Sequence, residues 1–448
     1  MSAAAEPNAA AHEDPSEAYA WFVVVVLLLA YTCSFIDRMI LTLLVGPIRA
    51  DLGISDTEMS LLVGFAFAVL YTVAGIPLGY IADRGNRRRL ITAGITGWSA
   101  MTAACGLAPN YLSLFLARVG VGIGEATLSP AAYSLLSDYF RKDKLGRAVA
   151  VYSIGVPLGS GIALMLGGLI VEMATKIPPV DLPGIASASP WRLVFFMAAL
   201  PGLAVALLML LVREPPRKGA RVEARRGFGG VFAFVWRHRA AFGPHFLGLS
   251  LLTLVIYGYM AWVPTFFARS HGMEPAAAGF WFGIILAAGG AVGLLAGGAL
   301  ADRLFKGGRK DGHLVTILVA TVGAAPFLIL APMMPGPALA FLCLAPAMLI
   351  ASMHGGVAGA ALQIITPNRF RAQVTALYFF VANLIGFGLG PTAVAAITDY
   401  GFGRDDALAW SMVIVAAAAL PASALVITWG RAPFRRSVAA MEAEDASA

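Results

Sequence analysis

Asp37, Arg38, Arg118 and Glu125 are the residues of this chain best placed to do chemistry, because each stands inside a long apolar stretch. A charge at such a position costs a few kcal/mol or more, so ionisable groups there normally face a cavity or pair with one another. Arg118 and Glu125 are two turns apart on one helical face. At 1.5 Å per residue Arg118 falls roughly 10 Å from the outer end of its helix, Glu125 roughly 21 Å, and Asp37 roughly 16 Å from the outer end of the first helix. An arginine held between two carboxylates is therefore geometrically open if the two helices adjoin. Asp37 and Glu125 are the candidate proton-coupling groups: burial, a nearby arginine and opening to either side act in opposite senses on a carboxyl's affinity for a proton. The plainer alternative is a static ion-pair network that packs the bundle.

The elements that position these residues are membrane-spanning helices. The chain has 448 residues, 59% hydrophobic and only 13% charged, with a mean hydropathy of +0.79, too apolar for a soluble domain. Stretches long enough to cross a bilayer core of about 30 Å recur at 21–48, 57–82, 88–108, 111–136, 145–172, 190–212, 241–268, 276–303, 312–333, 337–362, 370–399 and 405–431; these are spans 1 to 12 below. Of the 32 Lys and Arg residues, 25 lie in even-numbered connections or after span 12, which by the positive-inside rule makes both termini cytoplasmic. The net charge of +7 thus reports topology and anionic headgroups, not nucleic acid. Residues 1–20 carry Glu6, Glu13, Asp14 and Glu17 where a secretory signal wants positive charge, so this stretch reads as a cytoplasmic tail. Cys33, Cys105 and Cys343 fall in spans without metal-ligand spacing. Neither a metal or cofactor site nor a nucleophile with its base is legible, which excludes catalysis as the leading reading.

The connection 213–240 divides the spans six and six, giving an N-terminal bundle (21–212), a linker, a C-terminal bundle (241–431) and a cytoplasmic tail (432–448). Within the linker, Phe232, Phe234 and Trp236 among basic residues suggest an amphipathic helix on the inner leaflet. The halves repeat each other. Gly79-x-x-x-Asp83-Arg84 after span 2 matches Gly298-x-x-x-Asp302-Arg303 after span 8, and Gly64 matches Gly283 at the same offset of 219. Ile154-Gly155-Val-Pro157-Leu-Gly159 in span 5 matches Ile385-Gly386-Phe-Gly-Leu-Gly390 in span 11. Such duplication is common among secondary transporters.

Gly79-x-x-x-Asp83-Arg84-Gly-Asn-Arg87-Arg88-Arg89 resembles the signature between helices 2 and 3 of the major facilitator superfamily. That resemblance implies twelve helices in two six-helix bundles and transport by alternating access. It also implies a conformational switch in which Asp83 accepts from backbone N–H groups near Arg371, with Gly79, Arg84, Arg88, Asp302 and Arg303 alongside. Asp37-Arg38, Gly97-Trp98-Ser99 and Arg118-Val-Gly-Val-Gly-Ile-Gly-Glu125-Ala are similar to the spinster family. The family likeness implies an amphiphilic lipid of lysophospholipid or sphingoid type as substrate; the buried carboxylates make protons the expected coupling ion, with no other cofactor. Small organic anions or drugs as substrate, or a non-transporting lipid sensor, are the alternatives. Tyr257, Tyr259, Trp262, Met353 and His354 offer an apolar, aromatic wall opposite Arg38 and Arg118, suited to an amphiphile's tail. Gly155, Pro157, Gly159, Gly386 and Gly390 serve close helix packing. Span 5 partly resembles the Gly-Pro signature of exporters but lacks Pro after Gly159. A monomer in a bacterial inner membrane is the expected setting.

Overall fold

The computed structural model describes residues 16–178, 180–182, 185–217, 229–367 and 370–447. It is helical apart from one antiparallel hairpin, Val180–Leu182 with Ile185–Ala188, between spans 5 and 6. Among the described residues ten helices are long and apolar enough to cross a membrane. The other two expected spans depart for identifiable reasons. Span 3 forms the helix Arg87–Gly106, whose length of 20 residues suffices but whose arginine-led start and threonines lower its hydropathy. Span 10 forms a 16-residue helix, Pro337–Ser352, then turns through Met353–Val357 before Ala358–Ile364. Glycines explain this break. A Cβ at Gly293 would strike the Leu349 carbonyl, and one at Gly297 the Met353 backbone, so span 8 admits the turning backbone at a distance that side chains would forbid.

Span 1 begins at Glu17, with Ser16 accepting from the Tyr19 N–H as N-cap, and ends at Leu43. The face that carries Glu17 and the C-terminal helix is called the terminal face here; the face of the span 1–2 connection is the far face. The two halves meet along paired seams, span 2 on span 11 and span 5 on span 8. A Cβ on Gly64 would lie 2.6 Å from the Phe387 carbonyl, and one on Gly283 would lie 2.5 Å from the Gly161 carbonyl. The glycine pair that the duplication relates thus occupies equivalent seams. Gly155 and Gly159 bring span 5 onto Leu28, Tyr31, Thr32 and Phe35 of span 1, while Gly386 and Gly390 bring span 11 onto Thr253 and Leu254 of span 7. Pro157 packs on Gly290 across the second seam.

Span 2 is not a uniform α-helix. Residues Leu61–Phe65 form a π-helical turn in which the Ala66 N–H reaches back to the Leu61 carbonyl, leaving the Leu62 carbonyl without its usual helical partner. The last helix runs unbroken from Leu408 to Ser447, so it does not stop at residue 431. Of the linker, the described parts attach one end to each half. Tyr139 donates to the Arg213 carbonyl and Arg217 donates to the Ala82 and Gly85 carbonyls, while the helix Gly229–Arg237 packs on spans 7 and 11.

On the far face, burial pushes the Asp51 carboxyl up, but hydrogen bonds from Ser189 and Trp191 and the Arg192 guanidinium at 2.9 Å outweigh it and hold the group below its usual range. A depressed folded pKa contributes stability above the unfolded value of about 3.9 and loses it as pH falls through the folded one. Asp51→Asn should therefore lower the thermal unfolding midpoint at pH 7, and the gap from the unmodified protein should close below about pH 4, read by tryptophan fluorescence in detergent.

Candidate functional site

Arg38 and Glu125 form the central feature of the N-terminal half. Arg38 Nε and Nη2 donate to Glu125 Oε2 at 2.7 and 2.6 Å. The Glu125 side chain is fully enclosed and that of Arg38 is 11% exposed. Glycines bring span 4, which carries Glu125, close to its other neighbours. A Cβ at Gly122 would lie 2.8 Å from the Phe67 carbonyl of span 2, and one at Gly124 would lie 2.7 Å from Trp98 of span 3.

Arg118, the arginine first expected between two carboxylates, does something different. Its Nη1 donates to the Asp37 main-chain carbonyl at 3.1 Å and its Nε to the Leu62 carbonyl at 3.4 Å. The π-helical turn of span 2 is what frees that second acceptor. Arg38, one residue beyond Asp37, therefore takes the carboxylate of span 4, and Arg118 is spent on backbone. Asp37 Oδ1, Glu125 Oε1 and Arg118 Nη2 are all buried without a hydrogen-bond partner. Buried polar atoms are nearly always satisfied, so three such atoms in one cluster single this region out as the candidate site.

Aromatic rings enclose the pair. The Arg38 guanidinium lies 4.9, 4.4 and 5.1 Å from the ring centroids of Phe35, Phe67 and Tyr71, the range of cation–π attraction. Tyr31 stacks on Tyr152 at 4.9 Å, and Tyr133 meets Tyr152 edge-on at 5.4 Å. From the other half, Phe387 meets Phe67 edge-on at 5.4 Å and Tyr257 meets Phe387 at 4.9 Å. The cage thus draws on spans 1, 2, 4 and 5 and on spans 7 and 11. Apart from Tyr257, these rings escaped the sequence reading. Aromatic residues are ordinary in apolar helices, and only their convergence on one guanidinium distinguishes them.

The remaining candidates fall outside the cage. Tyr259 is buried and donates to the carbonyls of Leu328 at 2.6 Å and Met412 at 3.4 Å, which fixes it within the C-terminal half. Trp262 donates to the Pro391 carbonyl at 2.9 Å. Met353 contributes its backbone to the span 8 contact, and His354 Nδ1 lies 2.7 Å from the Ala351 carbonyl. Gly79 approaches Pro130, and Arg84 lies over the Tyr80 ring at 3.9 Å. The Arg88 N–H donates to Glu214 at 2.8 Å, Asp302 and Arg303 are exposed, and Arg371 donates to the carbonyls of Gln363 and Thr366 at 3.1 Å. The Asp83 side chain lies outside the described residues.

Two ionic clusters complete the picture. Arg87 is buried, donates to Asp138, and bonds Glu214 at 2.7 Å, tying the span 2–3 connection to the ends of spans 4 and 6. On the far face Asp56, its side chain fully enclosed, is clasped by Arg269 at 2.6 and 2.7 Å and by Arg49 at 3.1 Å. Arg49 also binds Asp405 at 2.6 Å, and Asp399 accepts from the N–H and hydroxyl of Thr57, both at 2.6 Å. These far-face contacts join the two halves. On the terminal face, among the described residues, every ion pair stays within one half. The far face is clasped by ion pairs between the halves, and among the described residues the terminal face is not.

This arrangement places a buried ion pair and a set of aromatic faces between two bundles that are clasped to each other at the far face. The family model for the Major Facilitator Superfamily matches residues 27–391. The chain belongs to the Major Facilitator Superfamily. It is a multi-pass integral membrane transporter and not an enzyme. It is 30% identical over 406 residues to an MFS-type efflux pump of Mycolicibacterium smegmatis, covering 88% of this chain and 89% of that one. It is 28% identical to human protein spinster homolog 1, covering 84% of this chain and 72% of the relative. The crystal structure of a bacterial homolog to the human lysosomal transporter spinster, inward-facing and unoccupied, superposes with a TM-score of 0.77 at 29% identity, over 95% of this chain and 98% of that one. Within the superfamily the transporter resembles spinster.

Two outcomes test the site. Arg38→Met strands a buried carboxylate and should cost about 3–5 kcal/mol, whereas Arg38→Met with Glu125→Leu, which removes both charges, should recover most of that loss; thermal unfolding of the three proteins decides. Asp56→Asn leaves the half-exposed Asp405 alone to balance Arg49 and Arg269 and should loosen the far face, so spin labels on Asn110→Cys and Ala338→Cys should move apart.

Proposed function

We propose that this transporter carries an amphiphilic lipid of lysophospholipid or sphingoid type, coupled to protons, by alternating access. The observation that carries this reading is the Arg38–Glu125 pair held in an aromatic cage drawn from both halves. A lipid's anionic headgroup would compete with Glu125 for Arg38 through charge-assisted hydrogen bonds, and the rings of Tyr31, Tyr71, Tyr257 and Phe387 would take its apolar part. Likeness to spinster proteins along most of the chain supports the same class.

The coupling follows from charge. With Glu125 ionised and bound, Arg38 is occupied; a proton taken up by Glu125 releases the Arg38 guanidinium for the substrate, and one taken up by Asp37 removes a second negative charge from the cluster. Each state of protonation then favours one arrangement of the halves. Twelve crossings with both termini cytoplasmic, in a bacterial inner membrane, make the terminal face the cytoplasmic one, and the far-face clasp then describes an inward-facing state of a monomer. Spans 3 and 10 supply the two crossings that length and hydropathy leave out.

A second reading, export of small organic anions or drugs, is favoured by the likeness to an efflux pump. Uptake of a labelled lysophospholipid by purified protein in liposomes, with and without an imposed pH gradient, separates the two. Gradient-driven flux should fall at least tenfold in Glu125→Gln, and in Asp37→Asn the residual flux should no longer respond to pH. Wild-type pH dependence in both variants would refute the coupling, and flux confined to small organic anions would move the substrate to the second reading.

A further inference from the structure

On the terminal face a cavity of about 950 Å³ opens between three segments that have no part in the central site. They are the linker helix Gly229–Arg237, residues Ile365, Pro367 and Phe370 after span 10, and the extension of the last helix beyond residue 431. That last helix of 40 residues is about 60 Å long, roughly twice a bilayer's hydrocarbon core, so its final turns lie outside that core. The linker helix fixes the level. Phe232 and Trp236, four residues apart on one face, are 51% and 72% exposed, as in a helix lying among headgroups. Phe234 points the other way, stacking on Phe370 at 5.2 Å and meeting Phe242 edge-on at 5.6 Å. Phe234 is thus an anchor to the protein, not a membrane contact.

The cavity wall is chemically divided. Phe234, Ile365, Phe370 and Met441 are apolar, and Arg237 and Arg436 add two exposed guanidiniums. Around them Arg431 and Arg435 bind Asp311 at 2.8 and 3.2 Å, and Lys310 binds Glu442 at 2.5 Å. Arg237 and Arg436 have no ion-pair partner among the described residues. Two unpaired guanidiniums over an apolar wall at headgroup level call for one anionic group attached to a hydrocarbon tail.

We infer that this cavity is a binding site for an anionic glycerophospholipid of the surrounding bilayer, its phosphate held between Arg237 and Arg436 and its upper acyl chain against Phe234 and Phe370. The bound lipid ties the linker helix to the last helix and is not transported, since the site lies apart from Arg38 and Glu125. Free phosphate satisfies the arginines alone and leaves the apolar wall to water, which selects the lipid.

Native mass spectrometry of the full-length protein in detergent, with phosphatidylglycerol or phosphatidylcholine added at equal concentration, tests this. The unmodified protein should retain one more phosphatidylglycerol than phosphatidylcholine. Arg237→Gln with Arg436→Gln should lower occupancy of that lipid about tenfold or more, whereas Arg404→Gln, on the far face, and Glu125→Gln should leave it unchanged. Ala233→Trp, which fills the cavity but keeps both charges, should produce the same loss and decides the matter if the double variant does not fold. Equal retention of the two lipids, undiminished binding in the variants, or displacement of phosphatidylglycerol by millimolar inorganic phosphate would each overturn the site. Loss of the extra lipid in Glu125→Gln would place it in the transport cavity instead.

Discussion

Keeping a charge deep in a bilayer is the constraint on which the rest of this structure depends. Arg38 and Glu125 are withdrawn from water together, and a charge left alone there would cost several kcal/mol. Spans 1 and 4 must therefore stay within hydrogen-bond reach. Around them span 4 meets spans 2 and 3 through Gly122 and Gly124 against Phe67 and Trp98, and span 5 meets span 1 through Gly155 and Gly159. The glycines are less a source of flexibility than of proximity. They let five helices crowd around one ion pair and give its cation a lining of aromatic faces, which solvate a guanidinium without competing for Glu125.

The charges outside the cavity obey a different economy. Arg87 with Asp138 and Glu214, and Asp311 with Arg431 and Arg435, each brace one half internally at the terminal face. Among the described residues, the ion pairs that cross between halves are those of the far-face cluster of Arg49, Asp56, Arg269 and Asp405. A bundle stiffened from within and clasped to its partner at one face can move as a unit about the seams, where glycine lets backbone touch backbone. The enclosure of Asp56 makes that clasp strong in this state and costly to open without another interaction to replace it.

Much of this was legible in the sequence, for physical reasons that differ by element. Spans, halves and the repeat follow from hydropathy and short motifs, since lipid leaves a helix few alternatives. Asp37, Arg38, Arg118 and Glu125 stand out because ionisable residues in apolar stretches are rare. Their pairing was not legible. Which arginine meets Glu125 depends on a π-helical turn at Leu61–Phe65 that frees the Leu62 carbonyl for Arg118, and such a turn leaves no clear mark in residue types. The far-face clasp was missed because Arg49, Asp56, Arg269 and Asp405 are far apart in the chain and look like ordinary loop charges. Tyr259 and Trp262 read as lining residues for a related reason. Membrane helices place polar-tipped aromatics wherever a carbonyl can be reached, and the Leu328 and Pro391 carbonyls happen to lie inside the bundle.

The duplication gives the two halves the same frame but not the same chemistry. Gly64 and Gly283 occupy equivalent seams, yet the π-helical turns Leu61–Phe65 and Asn383–Gly388 fall on spans 2 and 11 and not at their counterparts on spans 8 and 5. Span 2 lends a freed carbonyl to Arg118, and span 11 presents Phe387 to Phe67 and Tyr257. The irregular seam is thus the one that touches the ion pair, and the regular seam of spans 5 and 8 carries close packing alone. A repeat of two identical halves would bury two ion pairs and face the desolvation cost twice. With the buried ion pair confined to one half, the other is free to be apolar, and the seam where Phe387 meets Phe67 sets an apolar wall beside a charged one.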